Sequence, residues 1–495
     1  MRRKKVVFIE PKATQNLAYS YYLRKWPLLG CTTMATMLAQ RGHDAKVYSE
    51  NISGSVLDND KTLGDLLDAD FIGVTALTTS VGRAYEIAER LQKAGSRARL
   101  VIGGPHVSFL PDEALRFFPC VVQGEGDNVI VDLVEQEATP TGIIKGTPLK
   151  DLDSLPTPDL SLMHRNEDLW KASLWKDEYE VPLSTARGCP HDCRYCAVTQ
   201  LYGRKCRFRS PEKVLEDVMF YYNQGFRSFF FYDDNFMADR HRTLRLLEML
   251  NPLKIRWNAQ CRIDFPWLDP QSRSKLDTDL LQAVHDSGAD VFYIGYETID
   301  DATAKAWNKG YKGSMPLVEK MEQDTRILHD YGIWVHGMFV IGPHHDESTF
   351  SGIVDFALRN DINSLQMSVL TPFPGTQIFG DMRDDLIFTD FPHDWRYFDG
   401  AHLTYHHKKL GNQAFHEALV EYHRRYYHGA IHQFERFRRF LFGRGRIHRK
   451  FIAGVRMAIM VRGMFKAWQA ETASFLKEVG KRGKQYLHPA DQERE

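Results

Sequence analysis

Three cysteines fall within eight residues, Cys189, Cys193 and Cys196 in the run ARGCPHDCRYCAV. Thiolates three and four residues apart in a loop can point at one centre, and iron–sulfur clusters are held by such groups, usually four of them. No fourth cysteine lies at motif spacing, since Cys206 is ten residues on and Cys261 sits in a distant strand-like run. Three ligands on a four-iron cluster would leave one iron free to bind something else. The alternatives are a structural zinc site completed by His191 or Cys206, or unrelated buried cysteines. The chain has seven cysteines, an odd number, with Cys31 and Cys120 completing the set. That count and clustering suit a metal or redox site in a reducing cytosol better than a disulfide framework.

The elements that must position this loop can be read from periodicity. The first 135 or so residues alternate β-branched runs (VVFIE, KVYSE, DFIGVTAL, RLVIGG, CVVQGEG) with helix-like stretches such as GCTTMATMLAQR and GRAYEIAERLQKAG. This is the pattern of a doubly wound, Rossmann-like domain, expected over residues 1–136, with ligands at the carboxyl ends of its strands. Residues 137–177 lack a sustained period, and Pro156 and Pro158 favour extended backbone, so a linker is expected there. From residue 178 to 385, alternation resumes in about six strand–helix units, which fit a partial (β/α)6 TIM-type barrel with chemistry at the strand carboxyl ends. Residues 386–495 read as a mainly helical region rich in His and Arg.

The C-x3-C-x2-C loop, with Tyr195 just before its last cysteine and a βα series behind it, resembles the radical S-adenosylmethionine (SAM) family. The resemblance implies a [4Fe–4S] cluster on Cys189, Cys193 and Cys196, whose free iron chelates SAM and whose electron splits the sulfonium to a 5′-deoxyadenosyl radical. It also implies that Tyr195 packs beside the adenine and Asp233, in FFFYDDNF, faces the SAM ammonium. Arg262, in WNAQCRID, would face the SAM carboxylate or the substrate, and Glu297, in YIGYETID, the ribose hydroxyls. A helix N-cap by Asp234 or Asn235 is the competing use of the acidic run. FVIGPHHDE and LTPFPGT are similar to the turns after the fifth and sixth strands.

The segments GVTALTTS, VIGGPHVSFLPDEAL and VVQGEGD are similar to the cobalamin-binding domain fused before the barrel in one large radical SAM subfamily, which includes hopanoid methylases and the anaerobic magnesium-protoporphyrin ester cyclase. Gly103, Gly104, Gly124 and Gly126 let backbone approach a large flat ligand without a Cβ clash. Thr78, Thr79 and Ser80 offer hydroxyls to its nucleotide tail. The D-x-H-x-x-G signature is absent, EPKATQNLAYSYY standing after the first strand, so no histidine ligand to cobalt is expected; His106 is read as stabilising its turn. A domain that has lost the cofactor is the alternative.

Lys+Arg and Asp+Glu are both 64 among 495 residues, and 43% hydrophobic composition is ordinary for a globular chain, which argues against wholesale disorder and a general nucleic-acid binder. The N-terminal MRRKKVVFIEP has too short an apolar run for a signal peptide, and a cytoplasmic protein is expected. Charge is uneven, however. Residues 424–466 hold twelve basic residues against one acid, Glu435, interleaved with aromatic and aliphatic side chains such as Phe437, Phe440 and Phe451. Such a segment reads as a peripheral membrane-surface helix, as a basic outer helix packed on the barrel, or as an RNA contact. The expectation from these readings is a cobalamin-dependent radical SAM enzyme, reduced by a flavodoxin or ferredoxin, that C-methylates a lipophilic hopanoid, isoprenoid or tetrapyrrole. An oxidative cyclase or hydroxylase, an RNA-modifying enzyme and a non-catalytic corrinoid or iron–sulfur binder are the alternatives.

Overall fold

The computed structural model describes residues 2–13, 25–171, 176–309, 315–428 and 465–481. Val6 to Ile9 are buried without alternation, as a central strand covered by helices on both faces must be. They belong to a parallel sheet of β1 (Lys5–Glu10), β2 (Asp44–Ser49), β3 (Phe71–Thr75), β4 (Arg99–Gly103), β5 (Cys120–Gly124) and β6 (Gly142–Gly146), in the order β2-β1-β3-β4-β5-β6. The order reverses between β1 and β3, the switch point of a doubly wound fold. The helices Leu29–Gln40 and Val81–Lys93 fall where their periodicity places them.

The expected domain boundary at residue 136 is too early. β6 lies in the stretch read as a linker and pairs in parallel with all of β5, Cys120 against Gly142 through Gly124 against Gly146. GIIKG is a short edge strand between glycines, with no residue fully buried, so it carries little hydrophobic signal. The rest of the stretch drapes across both domains. Met163 forms a bridge with Val47 of the first sheet. Thr157 bonds the Asp217 carboxylate (2.5 Å), and Leu160 N–H donates to Tyr221 (3.1 Å), both on the helix Pro211–Tyr222 of the second domain.

That second domain is the expected partial barrel. It begins with β7 (Glu180–Leu183), a small antiparallel pair β8 (Ala186–Arg187) and β9 (Arg207–Phe208), and continues through β10 (Ser228–Phe231), β11 (Arg256–Cys261), β12 (Ala289–Glu297), β13 (Trp334–Ile341) and β14 (Ser364–Val369). The six parallel strands run β7-β10-β11-β12-β13-β14. Ser210, Asp239, Asp277 and Asp346 end four of the connections and cap the following helices through their side-chain oxygens, so each of these loops stops where its capping residue stands. Trp257, Phe292 and Val335 turn outward into the layer under the helices. The alternate positions face the lumen: Gln260 stands opposite Tyr293, Tyr293 opposite His336, and His336 opposite Ser364.

The region after residue 385 is less helical than expected at its start. Residues 386–411 form an irregular cap with a bridge between Leu386 and Tyr405, because Trp395, Phe398 and Leu403 are buried by tertiary contact and not by a helical stripe. The helix Asn412–His428 then packs on the helix Glu347–Arg359, and residues 465–481 form a further helix. Most of the basic segment, residues 429–464, lies outside the described residues. Among the described residues no helix is long and apolar enough to cross a membrane.

Burial pushes His336, His416 and His423 down to about 4, so each is held neutral in the folded chain. An unfolded histidine protonates near pH 6.5, so stability is full above that pH and is lost as pH falls toward 4. Each group is expected to remove on the order of 3 kcal/mol over that window. Urea midpoints measured from pH 7 to 4.5 should fall steadily; a flat profile would contradict neutral burial.

Candidate functional site

The cysteine loop leaves β8 directly, since Arg187 is that strand's last residue and Cys189 follows one glycine later. Gly188 adopts φ +88°, and a Cβ there would stand 3.1 Å from Lys205 O. The loop is pinned from the far side of the barrel. Arg194 N–H donates to Trp307 O (3.0 Å), the Asn308 side chain donates to Asp192 O (2.8 Å), and Ile378 N–H donates to Arg194 O (3.3 Å). The three thiols are half-buried, and burial pushes Cys196 up to about 12, so metal loading must displace protons. Their sulfurs do not all fall within 4.8 Å of one another, nor does any group of three that includes His191 or Cys206. A tetrahedral zinc with Zn–S near 2.3 Å would need sulfurs about 3.8 Å apart, whereas a multi-iron cluster spreads its ligands more widely. Cys206 donates to Gly188 O (3.3 Å) and so braces the loop's first turn.

Tyr195, Arg262 and Glu297 come together around this loop. Tyr195 sits edge-on to Trp307 (5.7 Å), whose ring backs onto Gly342 of the fifth-strand turn. Arg262 makes a two-pronged pair with Asp264 (3.1 and 3.0 Å), and its charge acts on Cys189 and His191. Glu297 ends β12 at φ +66°, a left-handed conformation costly for a residue with a Cβ, and pairs with Lys309 (3.2 Å).

Asp233 is placed otherwise than expected. Its carboxylate is buried and accepts from Thr185 N–H (2.6 Å), Thr185 O–H (2.5 Å) and Ala186 N–H (2.9 Å), so it locks the turn between β7 and β8 instead of facing a cofactor. The accessible acid is Asp234. It accepts from Gly188 N–H, and desolvation with the neighbouring Asp233 charge raises it to about 6. The DD pair was visible in the sequence; which carboxylate turns inward is decided only by the fold.

In the first domain, Gly103, Gly104, Gly124 and Gly126 line one narrow apolar cavity of about 70 Å³ between the sheet and its helices, with Gly73, Met34 and Ile130. A Cβ on Gly124 would lie 2.6 Å from Gly146 O, and one on Gly126 3.3 Å from Met34 Sδ. The Gly124 contact is backbone packing against β6, whereas a side chain at Gly126 would narrow the cavity, a glycine cradle that at this size must widen to admit a flat heterocycle. The hydroxyls expected to reach a nucleotide tail do not line it. Thr78 bonds His106 (3.2 Å), and Ser80 caps its own turn through Leu77. The segment Thr78–Ser80 packs against His393–Tyr397 of the cap, because His106 and Trp395 meet edge to face (5.1 Å). His106 is thus tied to Thr78 after β3, to Glu113 (3.3 Å) and to Trp395 of the cap.

The cradle and the cysteine loop are joined by charge. Arg187 pairs with Glu125 (2.7 Å) and Asp127 (2.6 Å) from the loop after β5, and Arg207 also pairs with Glu125. The Glu125 and Asp127 side chains keep 4% and 8% of their surface. The runs VVQGEGD and ARGC carry these charges in plain view, but nothing local pairs them, because the partners lie about sixty residues apart.

Residues 183–357 match the radical SAM superfamily, and residues 21–134 match the B12 binding domain. The chain thus carries a B12 binding domain followed by a radical SAM domain. This radical SAM enzyme is 26% identical over 434 residues to the bacteriochlorophyllide d C-12(1)-methyltransferase of Chlorobaculum tepidum, a match covering 86% of this chain and 88% of that one. It is 29% identical to the same organism's bacteriochlorophyllide d C-8(2)-methyltransferase, over 68% of this chain and 73% of the relative. The structure of OxsB, a cobalamin-dependent SAM radical enzyme solved with aqua-cobalamin and SAM bound, shares the fold at TM-score 0.66 and 15% identity, over 97% of this chain and 80% of its own. The radical SAM domain implies a [4Fe–4S] cluster, SAM and an electron donor, and the B12 binding domain implies cobalamin. The residues present fit them: the three thiols share one loop pinned by Trp307, Asn308 and Ile378, and the four glycines line one apolar cavity at the carboxyl ends of the first sheet.

Two outcomes follow for the enzyme. Arg187→Met would strand the buried Asp127 carboxylate and leave Glu125 with Arg207 alone, and is expected to cost about 3–5 kcal/mol, read as a lower Tm with less iron per chain. Gly126→Val would fill the cradle; cobalt per chain should fall about tenfold or more while iron is retained, and unchanged cobalt would exclude this cradle as the binding place.

Proposed function

We propose that this enzyme methylates an unactivated carbon of a flat, lipophilic substrate, a tetrapyrrole of the bacteriochlorophyllide kind. The observation that carries the reading is the Arg187 junction, which ties the loop of the glycine cradle to the residue that starts the cysteine loop and so supports two cofactors acting on one substrate. When bound, the cluster and SAM supply the radical that activates a carbon, and cobalamin supplies the methyl group. The chain's own part is to bind, orient and keep water out. Tyr195 and Trp307 offer an aromatic corner for the adenine, and Asp234, not Asp233, offers the accessible carboxylate for the SAM ammonium. Arg262 and Glu297 are proposed for the SAM carboxylate and ribose.

The substrate class is supported by the lumen wall. Trp26 of the first domain stacks on Phe230 (4.1 Å) with Tyr293 edge-on (5.8 Å), and the Tyr232 ring beside Phe230 is 39% exposed. Such a wall offers stacking area to a planar ring system. A reductant such as flavodoxin or ferredoxin and peripheral membrane contact through residues 424–466 complete the proposal, the latter for a substrate carried at a lipid surface.

The test is anaerobic incubation of reconstituted protein with reductant, a magnesium tetrapyrrole lacking the peripheral methyl groups, and SAM labelled in its methyl carbon. Labelled product with 5′-deoxyadenosine is expected, and neither from the Cys189→Ala, Cys193→Ala, Cys196→Ala triple variant. An unlabelled cyclised or hydroxylated product would select the cyclase reading. Absence of 5′-deoxyadenosine would overturn both. Truncation after residue 425 should abolish binding to anionic liposomes; unchanged binding would remove the membrane contact.

A further inference from the structure

Away from both cofactor sites, the cap and the helix at residues 465–481 bring Asp399, His402 and Glu471 together. One ligand atom from each, two carboxylate oxygens and an imidazole nitrogen, all lie within 4.8 Å of one another. Among the described residues no other set of three His, Cys, Asp or Glu side chains meets this condition. Asp399 and His402 are 7% and 3% exposed. The Asp399 carboxylate is fixed before any ion arrives: Oδ1 accepts from Ala401 N–H (2.9 Å) and His402 N–H (3.1 Å), and Oδ2 stands 2.9 Å from His402 Nδ1.

We propose that Asp399, His402 and Glu471 form a divalent transition-metal site, occupied by zinc, that staples the helix at residues 465–481 to the cap of the barrel. The donor set decides the class of ion. Magnesium and calcium take shells of oxygen, whereas one imidazole with two carboxylates suits zinc, with Zn–N and Zn–O distances near 2.1 Å. Donors around a tetrahedral ion at that distance stand about 3.4 Å apart, which the observed spacing accommodates with small side-chain rotations. A cavity of about 350 Å³ lies beside the cluster, lined by Tyr397 and Phe475, whose rings stand 5.7 and 4.5 Å from that of His402, and by the cations Arg396, Lys477 and Lys481; none of the three ligands lines it. His416, 6.3 Å from His402, is not a fourth donor, because its nitrogens are committed to Asn412 O (2.8 Å) and Leu403 N–H (3.4 Å). Water completes the shell. Binding displaces the proton shared by His402 and Asp399, so zinc affinity falls as pH falls.

The inference stands apart from methyl transfer and is tested without it. Full-length protein reconstituted with iron and cobalamin in zinc-free buffer is titrated with zinc chloride by calorimetry, with iron, cobalt and zinc per chain measured alongside. One zinc per chain is expected, bound about tenfold or more weakly by Glu471→Gln and His402→Gln, with iron and cobalt unchanged. Glu478→Gln, which lines the cavity but offers no ligand, should bind like the parent. Zinc should raise the Tm of the parent and not that of Glu471→Gln. No saturable zinc binding, or equal binding by parent and ligand variants, would overturn the site and leave an imidazolium held between two carboxylates.

Discussion

Arg187 holds a position on which both halves of the molecule depend. Its guanidinium lies between two acids of the first domain, and its backbone opens the loop that carries the cysteines. Taking such charges out of water costs several kcal/mol per ion, so the group is poor evidence of stability in itself. Its value lies in geometry. A guanidinium satisfied by Glu125 and Asp127 cannot slide by a residue without leaving buried charge unpaired, and that fixes the distance between the glycine cradle and the cysteine loop.

Other contacts brace the same arrangement. Glu113 accepts from Trp395 Nε1 (3.0 Å) and Tyr85 O–H (3.0 Å) and lies 3.3 Å from His106, so one carboxylate ties the first domain to the cap beyond the barrel. Its several donors hold it below the usual carboxylate range despite burial. Phe391 stacks on Trp395 (3.7 Å) and extends that clamp into the cap. On the opposite side, Tyr179 O–H donates to Lys25 O (3.0 Å), and Lys25 pairs with Glu180 (2.9 Å), which seats Trp26 against the lumen ring of Phe230. The open partial barrel is thereby closed by protein from the other domain, which is the means available here for keeping water from a reactive carbon.

The barrel wall has a polar ladder of its own. His336 bridges Ser364 (2.7 Å) and Gln366 (3.3 Å), and Gln366 donates to Ser368 (2.9 Å), all on inward positions of β13 and β14. Because His336 is neutral, the ladder adds hydrogen-bonding direction to the lumen without adding charge, which is compatible with a lipophilic occupant beside Met338 and Tyr293.

Local signals determined much of this protein. Strand and helix periodicity, N-cap residues and the cysteine spacing depend on neighbours within a few residues, so the two βα domains, the cysteine loop and the glycine cradle were all legible in the chain. The edge strand β6 was not, because GIIKG is nearly too short and too exposed to show a period. The irregular cap was missed because Trp395 and Phe398 are buried by distant partners. Only the tertiary structure decided that Asp233 is spent on Thr185 and Ala186 while Asp234 stays accessible, that Thr78 and Ser80 serve a domain contact, and that Arg187 meets Glu125 and Asp127. The Asp233, Thr78 and Arg187 bonds are pairings of polar groups remote in sequence. Residue type states what such a group can bond to, and only the folded backbone states what is within reach.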